Sequence, residues 1–278
     1  MSENRTMRAA LIQMDCVFGD VEKNLLHAVT MIEEAAGKGA NIICLPECFN
    51  TGYAVDRVEE MASLAETLSG KTIGFMGETA RRLGCYLIAP MILQIGNGIA
   101  ENAAVLLGDQ GEVLGVYAKN HLIGGEKHFL RRGYGYPVFE TKYGNIGIII
   151  CYDMAHPETA RILAEKGAEV IFVPSAWRDM RKFMHGFRTN IVCRAIDNVV
   201  FMAGANRCGE IDGVAFGGCS QFVDPEGTIL EHGGNAEGVV VSTLDLEKIR
   251  RERLVNGVLN DSDPCDFSCL AELCRRGR

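Results

Sequence analysis

At 278 residues, with 47% hydrophobic and 23% charged residues, the chain is long enough to bury a large core and too balanced in composition to be disordered or fibrous. Its net charge of −8 argues against nucleic acid or an anionic membrane surface as a partner. No apolar run reaches transmembrane length and nothing ahead of the first strand resembles a signal peptide, so the expected location is cytoplasmic.

In chain order the pattern alternates. Residues 7–14 predict a strand. Asp20 opens a helix through Ala36, with Leu25, Leu26, Val29, Ile32 and Ala36 on one face. Residues 41–45 predict a buried strand ending at Pro46-Glu47; residues 72–83 predict a helix and 85–93 a strand. Two strands flank the turn Asp109-Gln110-Gly111. Residues 146–150 are an apolar, β-branched run, as expected of a strand buried on both faces. The run ends on Cys151, and a helix follows from His156-Pro157-Glu158 to a stop at Gly167. A strand at 170–173, a helix at 186–197, a strand at 199–203, a hairpin at Pro225-Glu226-Gly227, a strand at 239–244 and a helix at 246–254 complete the pattern. Residues 255–278 carry little periodicity and read as a tail. The class is α/β, expected as one domain over residues 1–278 with its core at about 7–254.

One internal echo bears on the architecture. Gly39 to Glu47 resembles Gly167 to Ser175: each follows an amphipathic helix, and each ends a buried strand with proline. Two similar α-β halves would place Glu47 and Ser175 at corresponding strand ends, on the rim that also carries Cys151. That carboxyl-end rim is where open α/β sheets do chemistry.

The eleven cysteines are odd in number and scattered through apolar segments such as Cys16, Cys44, Cys85 and Cys193, which fits a reducing compartment. Cys265, Cys269 and Cys274 cluster near the end with no histidine close by, so no metal and no cofactor is expected. Cys151 stands apart because it feeds a helix, whose N-terminal amides favour the thiolate. Taken alone, a buried structural cysteine is the commoner meaning. The company it keeps changes the balance. Glu47 follows a buried strand directly, where a carboxylate is costly unless paired. Lys119 follows the strand-like 113–118, and Glu126 lies seven residues on, after Gly124-Gly125. Carboxylate, ammonium and thiol together supply a general base, an oxyanion partner and a nucleophile.

Three separated motifs, Leu45-Pro46-Glu47, Tyr117-Ala118-Lys119-Asn120-His121-Leu122 and Ile150-Cys151-Tyr152-Asp153 ending in Pro157-Glu158, resemble those of the nitrilase superfamily, the carbon–nitrogen hydrolases. The likeness runs from about Met7 to Leu254 and is closest to the amidase and carbamoyl-amine branches. It implies a four-layer α-β-β-α sandwich, usually paired through a helical face into a homodimer or a higher even oligomer. It further implies that Glu47, Lys119 and Cys151 are catalytic, that Glu126 orients the lysine and substrate, and that the Tyr152 amide is a second oxyanion donor. The expected substrate is a small carboxamide or N-carbamoyl amine cleaved with water through a Cys151 acyl-enzyme, releasing ammonia. Nitrile hydrolysis and acyl transfer to an amine would use the same residues.

Two other readings compete. A Cys-His hydrolase would need one of His121, His128, His156 or His185 beside Cys151; a binding module would keep the pocket without turnover, against which the intact set counts. Substrate contacts are expected from Tyr53, Tyr152, His156 and Trp177, with Tyr134 a further aromatic near the rim. Relatives that handle an α-carboxylate often carry Arg four residues past the nucleophile. Here that residue is Ala155, so neutral or amine-bearing substrates are expected unless Arg178 or Arg207 supplies the cation.

Overall fold

The computed structural model describes residues 5–275. In order these form β1 (Thr6–Gln13), α1 (Val21–Gly37), β2 (Ile42–Cys44), α2 (Val58–Ser63), α3 (Lys71–Leu83), β3 (Tyr86–Gly96), β4 (Ile99–Leu107), β5 (Val113–Ala118), α4 (Glu126–Phe129), β6 (Val138–Thr141) and β7 (Gly144–Ile148). A 3-10 turn (Cys151–Ala155) leads to α5 (Pro157–Glu165), β8 (Val170–Ser175), α6 (Arg181–Asn198), β9 (Phe201–Asn206), the short hairpin β10 (Glu210–Ile211) and β11 (Val214–Ala215), β12 (Gln221–Val223), β13 (Ile229–His232), β14 (Gly238–Asp245), α7 (Glu247–Val255) and α8 (Pro264–Arg275).

Two six-stranded sheets run in the orders β14-β1-β2-β3-β4-β5 and β13-β12-β9-β8-β7-β6. In each, three successive strands are parallel and joined by helical crossovers: β1, β2 and β3 in one, β7, β8 and β9 in the other. Antiparallel strands flank both trios. Five strands of each sheet follow the same order, β1 to β5 in one and β7, β8, β9, β12 and β13 in the other, as the internal echo implied; the sixth differs, being β14 beside β1 and β6 beside β7.

Side-chain parity turns this topology into layers. From the first sheet, Met7, Ala9, Leu11, Ile42, Cys44 and Ile88 join Ile146, Ile148, Val170 and Phe172 of the second in one buried cluster. The alternate residues Ala10, Ile12, Ile43 and Leu87 pack with Leu25, Ala28 and Ile32 of α1 and Met76 and Ala80 of α3. On the outer face of the second sheet, the missing side chain of Gly147 admits Leu163 of α5 and that of Gly204 admits Ile191 of α6. The result is the expected α-β-β-α sandwich. Strands covered on both faces are apolar at every position, which explains the unbroken runs.

Several boundaries differ from the sequence reading. The strand ends at Ile148: the Ile149 amide still donates to Phe172 O at 3.0 Å, and Ile150 then enters the turn at Cys151, both residues staying buried. Val199 caps α6 in a left-handed conformation (φ 48°) instead of opening the next strand. Residues 264–275 form α8, not a structureless tail: the Asp263 carboxylate accepts the Cys265 amide at 2.8 Å and Pro264 occupies the first helical position, a strong start signal despite the weak apolar period. No helix among the described residues is long and apolar enough to cross a membrane.

The turn Asp109-Gln110-Gly111 lies directly on α3. Gly111 has φ 85°, and a Cβ there would fall 2.4 Å from the backbone oxygen of Gly77. Gly111→Ala therefore combines a left-handed alanine with a clash against backbone. It is expected to destabilise the protein by about 1–3 kcal/mol, read as a lower urea midpoint with an unchanged slope; a midpoint within error of the wild type would show that α3 and the turn move apart freely.

Candidate active site

Four strand-end loops converge at the carboxyl edges of the two sheets. Glu47 follows β2, Lys119 follows β5, Cys151 follows β7 and Ala176 follows β8. Glu126 opens α4, within reach because Gly124 turns the chain with φ 54°. The Lys119 Nζ donates to Glu47 Oε1 at 2.7 Å and to Glu126 Oε1 at 2.9 Å, and all three side chains are fully buried. The remaining carboxylate oxygens are also satisfied: the Ala176 amide donates to Glu47 Oε2 and the Ile123 amide to Glu126 Oε2, each at 2.9 Å. Burial alone would pull the Lys119 ammonium down, but Glu126 and Glu47 outweigh it, so the ammonium is held well above its ordinary 10.5.

Asn102 of β4 completes this network, and sequence reading missed it. Its Nδ2 donates to Glu47 Oε1 at 2.8 Å and to Glu126 Oε1 at 2.9 Å. The signal was present: Glu101-Asn102 interrupts a strand that is otherwise apolar from Ile99 to Leu107.

Cys151 sits at the pivot with φ 46°, a left-handed conformation that a non-glycine residue adopts only when its surroundings hold it there. Asp153 provides the hold. Its buried carboxylate accepts from Tyr117 Oη (2.6 Å) and from the amides of His121 (2.8 Å) and Ile150 (3.0 Å), and it contacts His121 Nδ1 at 2.9 Å. One carboxylate thus ties the nucleophile turn to the loop that carries Lys119. The Cys151 proton is held well above the ordinary thiol range, first by burial and then by the Glu47 charge, with Lys119 and the Ala176 amide opposing. This corrects the expectation of a thiolate stabilised by helix amides, since α5 begins only at Pro157.

A cavity of about 170 Å³ opens above the thiol, lined by Tyr53, Val55, Ile123, Gly124, Cys151, Tyr152, Ala176, Trp177, Arg178 and Phe183. Its size is comparable to a void that admits benzene, so it suits a molecule of few heavy atoms. Tyr53, Tyr152 and Trp177 are where the sequence placed them. Three other residues are not. Tyr134 is 81% exposed and lies over Arg132, away from the cavity. His156 stacks on His121 (3.7 Å between centroids) and meets Tyr152 edge-on, but does not line the cavity. Arg207 is fully buried and pairs with Asp15 at 2.8 Å. No histidine lines the cavity with Cys151. Among the described residues, no cluster of His, Cys, Asp and Glu is arranged to hold a metal ion; Cys265, Cys269 and Cys274 are exposed along α8.

Comparison with known proteins agrees with this geometry. Residues 8–253 match the carbon-nitrogen hydrolase family. The chain is 34% identical to a nitrilase of Pyrococcus abyssi, covering 92% of this chain and 97% of that one. It is 32% identical to the omega-amidase NIT2 of Danio rerio, over 81% and 83% of the two chains. Among solved structures, a mutant of the amidase from Nesterenkonia sp. AN1 superposes with a TM-score of 0.82 at 27% identity, over 97% of this chain and 96% of that one. That structure shows covalent addition of the acetamide moiety of fluoroacetamide at its active-site cysteine. The chain belongs to the carbon–nitrogen hydrolase family, within the nitrilase superfamily. It is an enzyme acting on carbon–nitrogen bonds other than peptide bonds.

The stacked histidines make the site's surroundings pH-sensitive. Burial, then the neighbouring His121, pushes His156 below its ordinary 6.5, and its Nε2 is buried without a partner. The unfolded chain takes that proton near 6.5 while the folded chain refuses it. This part of the stability is therefore full above 6.5 and lost progressively as the pH falls toward the lower folded value. In urea midpoints measured between about pH 8 and 5, His156→Gln is expected to flatten the acid-side decline. An identical decline in both proteins would assign the effect elsewhere.

Proposed function

We propose that the chain hydrolyses a small carboxamide or N-carbamoyl amine through a thioester at Cys151, releasing ammonia. The observation that carries this reading is the buried, mutually hydrogen-bonded Glu47–Lys119–Glu126 set beside a cysteine that lines a cavity. The omega-amidase relative and the cysteine adduct in the Nesterenkonia amidase support it.

The steps follow from the protonation state. Because the resting thiol keeps its proton, Glu47 removes it as Cys151 Sγ attacks the carbonyl carbon. The carbonyl oxygen gains negative charge as its double bond opens. Lys119 donates two of its three N–H bonds to Glu47 and Glu126, leaving one for that oxygen, and the Tyr152 amide supplies a second donor. Glu126 holds the ammonium in place while this charge develops. Collapse of the tetrahedral intermediate breaks the carbon–nitrogen bond, and Glu47 returns its proton to the departing nitrogen. Water then attacks the thioester with Glu47 again as base. Cys151 recovers its proton, and the acid and ammonia are the products. A carbamoyl substrate passes through the same steps and adds carbon dioxide when the carbamic acid decomposes.

Cys151→Ala is expected to abolish ammonia release while leaving the urea midpoint near that of the wild type, and intact-protein mass spectrometry of a slow amide is expected to show an acyl adduct on Cys151. Glu47→Gln keeps the shape but not the base, so its turnover is expected to drop roughly 10²–10⁴-fold. An adduct on another cysteine would overturn the Cys151 assignment, and an active Glu47→Gln beside an inactive His156→Ala would replace Glu47 with a Cys-His mechanism.

We also propose that two copies pair through helices outside the sandwich, as the family resemblance implies. Ile162 of α5 and Ile196 of α6 are exposed apolar residues on that layer. Light scattering is expected to give at least twice 30.3 kDa; an active species at 30.3 kDa would refute it.

A further inference from the structure

The buried ionic network contains one side chain to which the proposed steps give no task. Glu47 Oε1 and Glu126 Oε1 each accept from the same two nitrogens: Lys119 Nζ, at 2.7 and 2.9 Å, and Asn102 Nδ2, at 2.8 and 2.9 Å. Oxygen and nitrogen therefore alternate around a closed ring. The two carboxylate oxygens are no farther apart than two hydrogen bonds laid end to end. Asn102 is fully buried, and it alone of the four lies inside a strand, paired with Ile92 of β3. Its carbonyl also accepts the Lys119 amide at 2.8 Å. One residue of rigid sheet thus grips the lysine loop by its backbone and both carboxylates by its side chain.

Charge explains why this bridge is an amide. Lys119 offsets only one of the two carboxylates. Carboxylates this close with nothing further between them share one proton, and a Glu47 that shares a proton is not a base. A second cation would bind Glu47 too tightly for it to accept a proton. The asparagine NH2 offers two diverging donors and no charge, one for each oxygen. Turning the amide over would set Oδ1, which is buried with no partner among the described residues, against both anions, so the donor orientation is dictated by what it faces. Its bonds also outlast the first step. As the substrate oxygen gains charge and draws Lys119 from Glu47, Asn102 still keeps the carboxylates in place.

We infer that Asn102 is a positioning residue of this reaction: its uncharged amide keeps Glu47 and Glu126 as two separate carboxylates, leaving Glu47 free to take the Cys151 proton while Lys119 turns to the substrate oxygen. The inference rests on the reading of Glu47 as base and goes beyond it, to what keeps that base in working form.

The ionisable neighbours of Glu47 are Lys119, Glu126, Cys151, Cys48 and Tyr53. Burial above all raises the two thiols and the phenol, and Lys119 stays charged against its burial through Glu126 and Glu47. None of these four changes charge between about pH 4 and 8, so an acid limb moved by an Asn102 substitution reports the carboxylates.

The test records two pH profiles on the full-length enzyme. One is kcat/KM for ammonia release from the fastest of the simple amides acetamide to pentanamide. The other is the rate at which iodoacetamide alkylates Cys151, located by mass spectrometry. In Asn102→Leu, which fills the space without donors, kcat is expected to fall roughly 10–100-fold with KM within about 3-fold. Both acid limbs are expected to move up by about one pH unit, because the ionised carboxylates lose two donors. Asn102→Asp adds a third carboxylate in the same shape and is expected to move them further. Asn102→Ser, with a single O–H donor, is expected to move them up less, and it carries the test if the leucine variant does not fold. An acid limb unmoved in either profile, whatever the change in urea midpoint, makes Asn102 structural only and overturns the inference, as does a limb displaced to lower pH. An alkylation limb that moves with Asn102, in an enzyme that releases no ammonia from any small amide or N-carbamoyl amine, supports the positioning role and sinks the hydrolase reading instead.

Discussion

One buried ammonium organises this molecule. Lys119 has no solvent of its own, so its charge is tolerable only between Glu47 and Glu126, and those carboxylates are tolerable only with Lys119, Asn102 and two backbone amides around them. Removing one member of a buried ionic set typically costs about 3–5 kcal/mol because its partner is left uncompensated. The contributors come from the ends of β2, β5 and β8, from the middle of β4 and from α4. None of those loops can shift without stranding a charge, so the sheets are held in the one relative placement that satisfies the network.

The same burial decides how the thiol can react. A pre-formed thiolate would add a second uncompensated negative charge beside Glu47, and both desolvation and that neighbour push the proton onto sulfur. Proton removal must therefore accompany attack, when the negative charge passes through sulfur to an oxygen that Lys119 can reach. The left-handed Cys151 and the four-way Asp153 anchor hold the sulfur where this transfer is short. The strain stays local to a turn anchored by the core residues Ile149, Ile150 and Met154.

How much of this was legible in the sequence follows from the range of each interaction. Strand runs, helix periods and the repeated helix–Gly–strand–Pro unit are local, and they placed the layers. Glu47, Lys119, Glu126 and Cys151 were legible because charge or thiol at the end of a buried strand is costly enough to stand out. Asn102 and Asp153 were harder. Their importance lies in partners 55 and 24 residues away for Asn102, and 36 and 32 away for Asp153, which no local pattern encodes. The protonation of Cys151 was misread for a related reason: proximity to a helix in sequence counted for more than the desolvation that only packing reveals. Tyr134 and Arg207 were plausible rim residues by sequence position, yet chain direction sent one to solvent and the other to Asp15.

The repeated topology explains why the site is asymmetric. In the first half Leu11 of β1 is in register with Cys44 of β2, and in the second Ile148 of β7 is in register with Phe172 of β8. Three residues beyond Cys44 stands Glu47, and three beyond Phe172 stands Ser175, whose hydroxyl turns back to Val173 O at 3.1 Å. The two loops meet where the next residue, Ala176, gives its amide to Glu47. One copy of the motif therefore supplies the carboxylate and the other the backbone donor that completes its solvation. Had both carried glutamate, two strand-end carboxylates would face each other across one lysine already shared with Glu126. The division of labour between the halves is what a single buried ammonium can support.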